Sequence, residues 1–301
     1  MLLRLVARRR FRRRFRVAAL AFWLAAAAGL AAAQPSGQIA PAGDALIPDV
    51  PTLMAQVRAH QRAMDAIQEN YTFRETDLTQ ILNKNGSVRK TESETYEVFF
   101  VNTHQVQELV EKDGKPLDPD QQKKEQGRTM KQIRKDQQTP PGQAPPGEVV
   151  VSVSHILAMA RVSRPRLVLL DGRPTFAFDF TGDPHAKAHG IAEEAARKMS
   201  GTIWIDEKDR EVRRIAARLD ENFHVGFGMV SLSKGSNLVF DQKLVNNELW
   251  LPTSAALYLN AHAFGIFGAR AEVRMTDSDY KKFSAKAIQQ PGAAVVPSTP
   301  H

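Results

Sequence analysis

The 301-residue chain has no cysteine. That absence excludes thiolate catalysis, zinc–thiolate sites and disulfide crosslinks, and with them the cysteine that a bacterial lipoprotein anchor requires. Aromatic residues are sparse at 7%. There is no G-x-S-x-G elbow, no P-loop and no H-E-x-x-H pair, so none of the common hydrolase, nucleotide-binding or metalloprotease motifs is present. Gly226-x-Gly228 begins a dinucleotide fingerprint, but Ser231 takes the third glycine position and no helical pattern follows. The expectation is a non-enzymatic protein without a cofactor.

Acidic residues are missing from one end only. Residues 1–33 hold eight arginines and no acid, and the rest of the chain carries 33 basic and 33 acidic side chains. The formal charge of +8 is therefore a property of the N-terminal segment, and a neutral remainder has little counterion-release energy to offer nucleic acid. "RRRFRRRFR" followed by the apolar residues 17–33 and Gln34-Pro35 has the layout of a signal peptide cleaved after Ala33, with an uncleaved membrane anchor as the alternative. Arg-Arg-x-Phe occurs twice there, a feature also compatible with twin-arginine export. The protein is thus expected in the periplasm or cell envelope and not lipid-anchored.

Residues 34–50 read as a Pro/Gly/Ala linker, 51–285 as one domain with a polar insertion at 118–147, and 286–301 as a disordered tail. Leu53, Val57, His60, Met64 and Ile67 fall at helical spacing, with Pro51 in the first turn, where its missing N–H is harmless. His60 on that stripe reads as a packed, hydrogen-bonded residue and not a ligand. After Tyr71 the period changes to two, and "NKNGS" marks a hairpin. Two "DG(K/R)P" turns follow at Asp113 and Asp171, and hairpin chemistry alone accounts for both. "DPDQQKKEQGRTMKQIRKDQ" is too polar to bury an apolar face and reads as an exposed helix or excursion. "VSVSHILAMARVSRP" reads as a short buried helix stopping before Pro165, and "FHVGFGMVSLS" as one strand bent at Gly226 and Gly228.

In "GTIWIDEKDREVRRIAARLD" (201–220), Ile203 and Ile205 alternate with Trp204, and the charged residues 207–210 lie in the turn, where they are expected to be solvated. In the last strand Ala269, Ala271, Val273 and Met275 alternate with Arg270, Glu272, Arg274 and Thr276. Such strands, with one helical stripe to receive them, predict an α+β, mainly β fold: a strongly curved antiparallel sheet, an unclosed β-barrel, wrapped around or lidded by helices.

The leading helix Pro51–Glu69, "NYTFRET", Asp113-Gly114-Lys115, Trp204-Ile205-Asp206 and Trp250-Leu251-Pro252, in that order, resemble the LolA/LolB-like lipoprotein-carrier superfamily, which includes outer-membrane lipoprotein-sorting proteins and RseB-type sensors. The resemblance spans about Pro51 to Phe283 and rests on element order and short motifs. It implies an apolar lumen for lipid or lipoprotein acyl chains, transient membrane contact and a monomer. The insertion is long for a compact carrier, and the absent cysteine excludes a LolB-like anchored receptor. Large apolar strand residues are the lumen candidates: Phe73, Phe99, Phe176, Phe178, Trp204, Phe227, Trp250 and Leu257. Two alternatives accompany this reading. One is an envelope sensor or scaffold that binds a protein partner. The other is a metal-dependent hydrolase using Asp183, His185 and His189 of "GDPHAKAHG", the weaker of the two because no orienting shell accompanies those residues.

Overall fold

The structure is a computed structural model that describes residues 2–5, 39–41, 49–67, 70–141, 143, 149–225, 230–263 and 267–282. Ala33, Gly226, Phe227 and Gly228 lie outside the described residues. The order is β1 (Leu2–Leu5), β2 (Ile39–Pro41), α1 (Val50–Ile67), β3 (Tyr71–Leu82), β4 (Val88–Val101), β5 (His104–Lys112), β6 (Lys115–Pro116), α2 (Pro119–Gln137), β7 (Val149–Ser152) and α3 (Val153–Met159). Then come β8 (Ala160–Leu170), β9 (Arg173–Gly182), α4 (Ile191–Ala196), β10 (Met199–Asp206), β11 (Val212–Leu219), β12 (Phe223–Val225), β13 (Val230–Leu232), β14 (Asn237–Val245), β15 (Leu249–Ala263) and β16 (Phe267–Lys282).

One antiparallel sheet dominates, with strand order β2-β8-β9-β10-β11-β14-β15-β16-β3-β4-β5-β6 and the β12–β13 hairpin added beside β15. Its two ends, β2 and β6, do not pair with each other, so the sheet is curved but unclosed. Separately, β1 pairs with β7. The tight turns follow their chemistry: Asp113-Gly114 and Asp171-Gly172 all have positive φ, between 49° and 75°, as a two-residue type I′ turn requires.

Register carries one residue row across the sheet. Phe178 faces Ile203, which faces Ile215, then Phe240, Ala255 and Met275. α1 and α3 cover this inner face. Leu53, Met54 and Val57 from α1, and Val153, Ile156, Leu157 and Met159 from α3, join the strand residues in one buried apolar cluster. Gly201, on the same face between Phe180 and Ala217, marks a close approach: a Cβ there would lie 1.9 Å from the Ala216 carbonyl oxygen. Only glycine lets neighbouring strands crowd this closely at a barrel corner.

Four local expectations differ from the structure. Among the α1 side chains that are described, the buried ones are Leu53, Met54, Val57 and Gln61, a stripe that leaves His60 at its margin, where Nε2 meets the buried Glu211 carboxylate at 3.3 Å. The α3 helix ends at Met159 and β8 runs on through Pro165, which sits in the register shift between Ser163 and Arg166, where a missing N–H breaks no ladder bond. "FHVGFGMVSLS" is not one strand, because β12 (Phe223–Val225) and β13 (Val230–Leu232) pair antiparallel with each other. Within 34–50, β2 adds to the edge of β8.

The largest difference concerns α2, which is not a solvated excursion. Its buried residues are Glu125, Thr129 and Asp136, and they bury because the surface they meet is itself polar. Glu125 Oε1 accepts the Leu109 backbone N–H at 2.9 Å, Arg128 donates to the Gln107 carbonyl, and Gln132 donates to the Gln105 carbonyl at 3.2 Å. The helix therefore covers the free edge of β5, a row of unpaired main-chain groups that would otherwise template pairing with another chain. An Asp118–Gln121 capping box starts it.

Candidate functional site

The inner face changes character along its width. From β9 to β16 the row beginning at Phe178 is apolar; beyond Met275 it continues into Asp77 and then Glu94. One step along, Asp277 of β16 lies directly opposite Glu75 of β3. Directly opposed residues hold their Cβ atoms about 5 Å apart, and like charges there destabilise the pair. These acids separate the main apolar cluster from a second one of Phe73, Tyr96, Val98, Phe100, Leu109 and Leu117, with Tyr280 against it.

The acids are engaged unequally. Gln107 donates to Glu75, and the Tyr96 hydroxyl donates to Glu94 at 2.6 Å. Asp277 has an enclosed Oδ1 without a hydrogen-bond partner. Burial first, then the carboxylates of Glu75 and Asp77, push the Asp277 carboxyl well above the usual range. Burial, then Asp277 and Glu75, likewise push the Tyr280 phenol upward. Because Asp277 is harder to ionise folded than unfolded, its stabilising contribution is complete below the unfolded carboxylate range of about 4. That contribution is lost as pH rises through the raised folded value. Asp277→Asn is expected to stabilise the protein at neutral pH by about 1–2 kcal/mol, since the amide donates where a carboxylate repels. In thermal melts the gain shrinks as pH falls to about 4; an equal gain at both pH values would contradict this account.

The lumen candidates separate by face. Phe176, Phe178 and Leu257 lie in the main inner cluster, and Phe73 lies in the second, its ring centroid 5.4 Å from that of Tyr280. Trp204 lies between the inward Ile203 and Ile205, and Phe99 between Val98 and Phe100, so both project from the opposite face. Trp250 is buried outside the apolar clusters: its indole N–H donates to Asp209 at 3.1 Å, and the Arg173 and Arg213 guanidinium groups each lie 5.5 Å from its ring centroid. Phe180 and Phe100, on the same strands as chosen candidates, also point inward; alternation by two from Phe178 and Phe73's partner Val98 was the signal for them.

The turn residues 207–210 after β10 are half-buried or, at Lys208, exposed, but the charges that flank them are not solvated. Asp206 is 1% exposed and Glu211 fully buried, with Arg213 and Arg214 also buried. Asp206 accepts from Arg173 Nε at 3.0 Å and from the backbone N–H groups of Lys208 and Asp209. Arg213 donates to the Leu170 carbonyl at 2.6 Å and to Thr175 at 2.9 Å. The network ties the ends of β8, β9, β10 and β11 together.

Asp183, His185 and His189 do not converge. The Asp183 carboxylate accepts the His185 backbone N–H and pairs with Arg161 at 2.9 Å, contacts that hold its carboxyl below the usual range, the His185 N–H first. The His189 backbone donates to Glu193, and α4 begins only at Ile191, so the two histidines share no helix face. Among the described residues no three His, Asp or Glu side chains are placed to hold a metal ion.

Sheet and site together define a class: a mainly β, α+β protein in which an unclosed antiparallel barrel holds helices against an apolar inner face. No family model matches the chain, and no curated protein matches its sequence. Among solved structures it is similar to a LolA superfamily protein of Nitrosomonas europaea, at 10% identity over 76% of this chain and 93% of that one, with a TM-score of 0.32. It is also similar to a chain of the Pseudomonas aeruginosa MucA/MucB complex, at 9% identity over 76% and 99%, with a TM-score of 0.22. The fold assignment rests on the sheet topology and not on these overlaps.

Proposed function

We propose that this is an exported, non-enzymatic envelope protein that binds acyl chains of lipids or lipoproteins on the inner face of its sheet. The observation that carries the reading is the cross-strand apolar row from Phe178 to Met275, backed by Phe176, Phe180 and Leu257, in a sheet whose end strands do not pair with each other. Each methylene moved from water onto such a surface contributes about 0.8 kcal/mol, so affinity needs no charged group. Val57 and Leu157 are fully buried against this face, so an acyl chain enters by displacing α1 or α3. The half-buried Leu259, Val273 and Met275, packed at the margin of the cluster, are where a chain would begin to insert. Loading and release are then one motion, a helix leaving and returning, which suits a carrier that must give up its cargo.

Native mass spectrometry of protein recovered from the envelope, followed by organic extraction, tests this. A bound mass in the acyl-lipid range that extraction removes is expected. Protein that is clean as isolated and fails to take up a fluorescent fatty acid would end the carrier reading, and a co-purifying protein in its place would establish the sensor alternative.

A further inference from the structure

The face of α2 turned away from the sheet has chemistry that neither the inner face nor the fold uses. Glu125, Thr129 and Asp136 are its buried residues. At helical spacing Lys123, Gly127, Lys131 and Arg134 fall on roughly the opposite side, with Lys124 beside them. Lys123, Lys124, Lys131 and Arg134 are all exposed, and none makes an ion pair or side-chain hydrogen bond among the described residues. Arg128, on the sheet side of the same helix, is committed to Glu125, Gln132 and the Gln107 carbonyl. The helix thus sorts its six cations: Arg128 fixes it to the β5 edge, the half-buried Lys135 is engaged as well, and four are presented along about 16 Å of a firmly seated rod.

We propose that this face of α2 docks the protein on an anionic lipid surface. The exposed residues from Lys123 to Arg134 are Lys123, Lys124, Gln126, Gly127, Lys131 and Arg134, and the one apolar side chain beside the cations is the half-buried Met130. A specific protein interface depends on a few desolvated anchor residues seated in pockets. A sheet of phosphate headgroups needs only several cations held in one plane, each adding about fivefold to partitioning, the equivalent of about 1 kcal/mol. The face fits the second requirement, and a single half-buried methionine falls short of the first. It would set the barrel's orientation at the membrane whatever the inner face carries.

The cysteine-free chain allows a local test in the full-length protein. A single fluorophore is placed at Gly127→Cys at the centre of the proposed face, where an added Cβ meets nothing within 4 Å, or at Lys208→Cys in the β10–β11 turn, and quenching by headgroup-spin-labelled vesicles is read. Gly127→Cys is expected to be quenched on phosphatidylcholine vesicles containing phosphatidylglycerol, but not on phosphatidylcholine alone, and Lys208→Cys on neither. Salt should reverse the quenching. Adding Lys123→Gln, Lys131→Gln and Arg134→Gln should weaken it roughly a hundredfold with unchanged circular dichroism, because these side chains hold no internal contact. Equal quenching at both labels, equal quenching on neutral vesicles, or no effect of the triple change overturns the proposal. So does capture of the labelled face by soluble polyglutamate while phosphatidylglycerol vesicles leave it untouched.

Discussion

Asp206→Ala is expected to destabilise the protein by about 3–4 kcal/mol, a fall in Tm of about 10 °C for a domain of this size. The carboxylate is 1% exposed and does three things: it pairs with Arg173 Nε and Nη2, accepts the Lys208 N–H, and accepts the Asp209 N–H. Removing it leaves two turn amides without an acceptor and a guanidinium without its counter-ion. Arg173 is 40% exposed, so water offsets part of that last loss and the figure sits at the low end for a broken buried pair. Asp206→Asn separates the contributions, since the amide oxygen still accepts from the turn while the charge is gone; about half the loss should return. Denaturant melts with unchanged m-values are the measurement. A change within 0.5 kcal/mol, the range of ordinary surface substitutions, would mean that the Asp206 carboxylate is solvated after all.

Glu125→Ala is expected to cost about 3 kcal/mol, mostly by stranding the Leu109 N–H beneath a helix that still covers it. Arg128 loses its closest acid at the same time. One compensation works in the other direction: burial, then Glu125 and Glu97, raise the Glu108 carboxyl, and deleting Glu125 relieves part of that. The discriminating readout is amide exchange. Leu109 should exchange far faster in Glu125→Ala, while the amides of β9 and β10 are unaffected, because α2 can open without disturbing the main inner cluster. Glu125→Gln keeps an acceptor and should restore most of the protection. Uniform loss of protection across the sheet would show that α2 belongs to the global folding unit.

Both predictions concern polar residues that the linear pattern assigns to solvent, and the reason is the same for each. A charge run says how many ions are present but not whether they meet one another. Asp206, Arg173 and Trp250 are brought together by strand ends distant in sequence, and Glu125 is buried by a strand edge whose main-chain groups leave no trace in residue type. Apolar periodicity fares better. Strand alternation around Phe178, Ile203 and Ile205 is visible locally because one face of a sheet is covered and the next residue points the other way. It does not say which strands neighbour one another, so Trp204 and Phe99 stand among the lumen candidates although both project from the other face.

What the chain determined by itself is therefore the class of fold: period-two patterning, Asn-Gly and Asp-Gly turns and one amphipathic helix require an antiparallel sheet with a helix against it, since local sterics and the burial of one face act over a few residues. What tertiary structure decided is which surface each polar residue meets. The placement of α2 on the β5 edge, the opposed Asp277 and Glu75, and the buried ions after β10 all depend on register and strand order. Those are set by the summed packing of the whole sheet and are carried by no single segment.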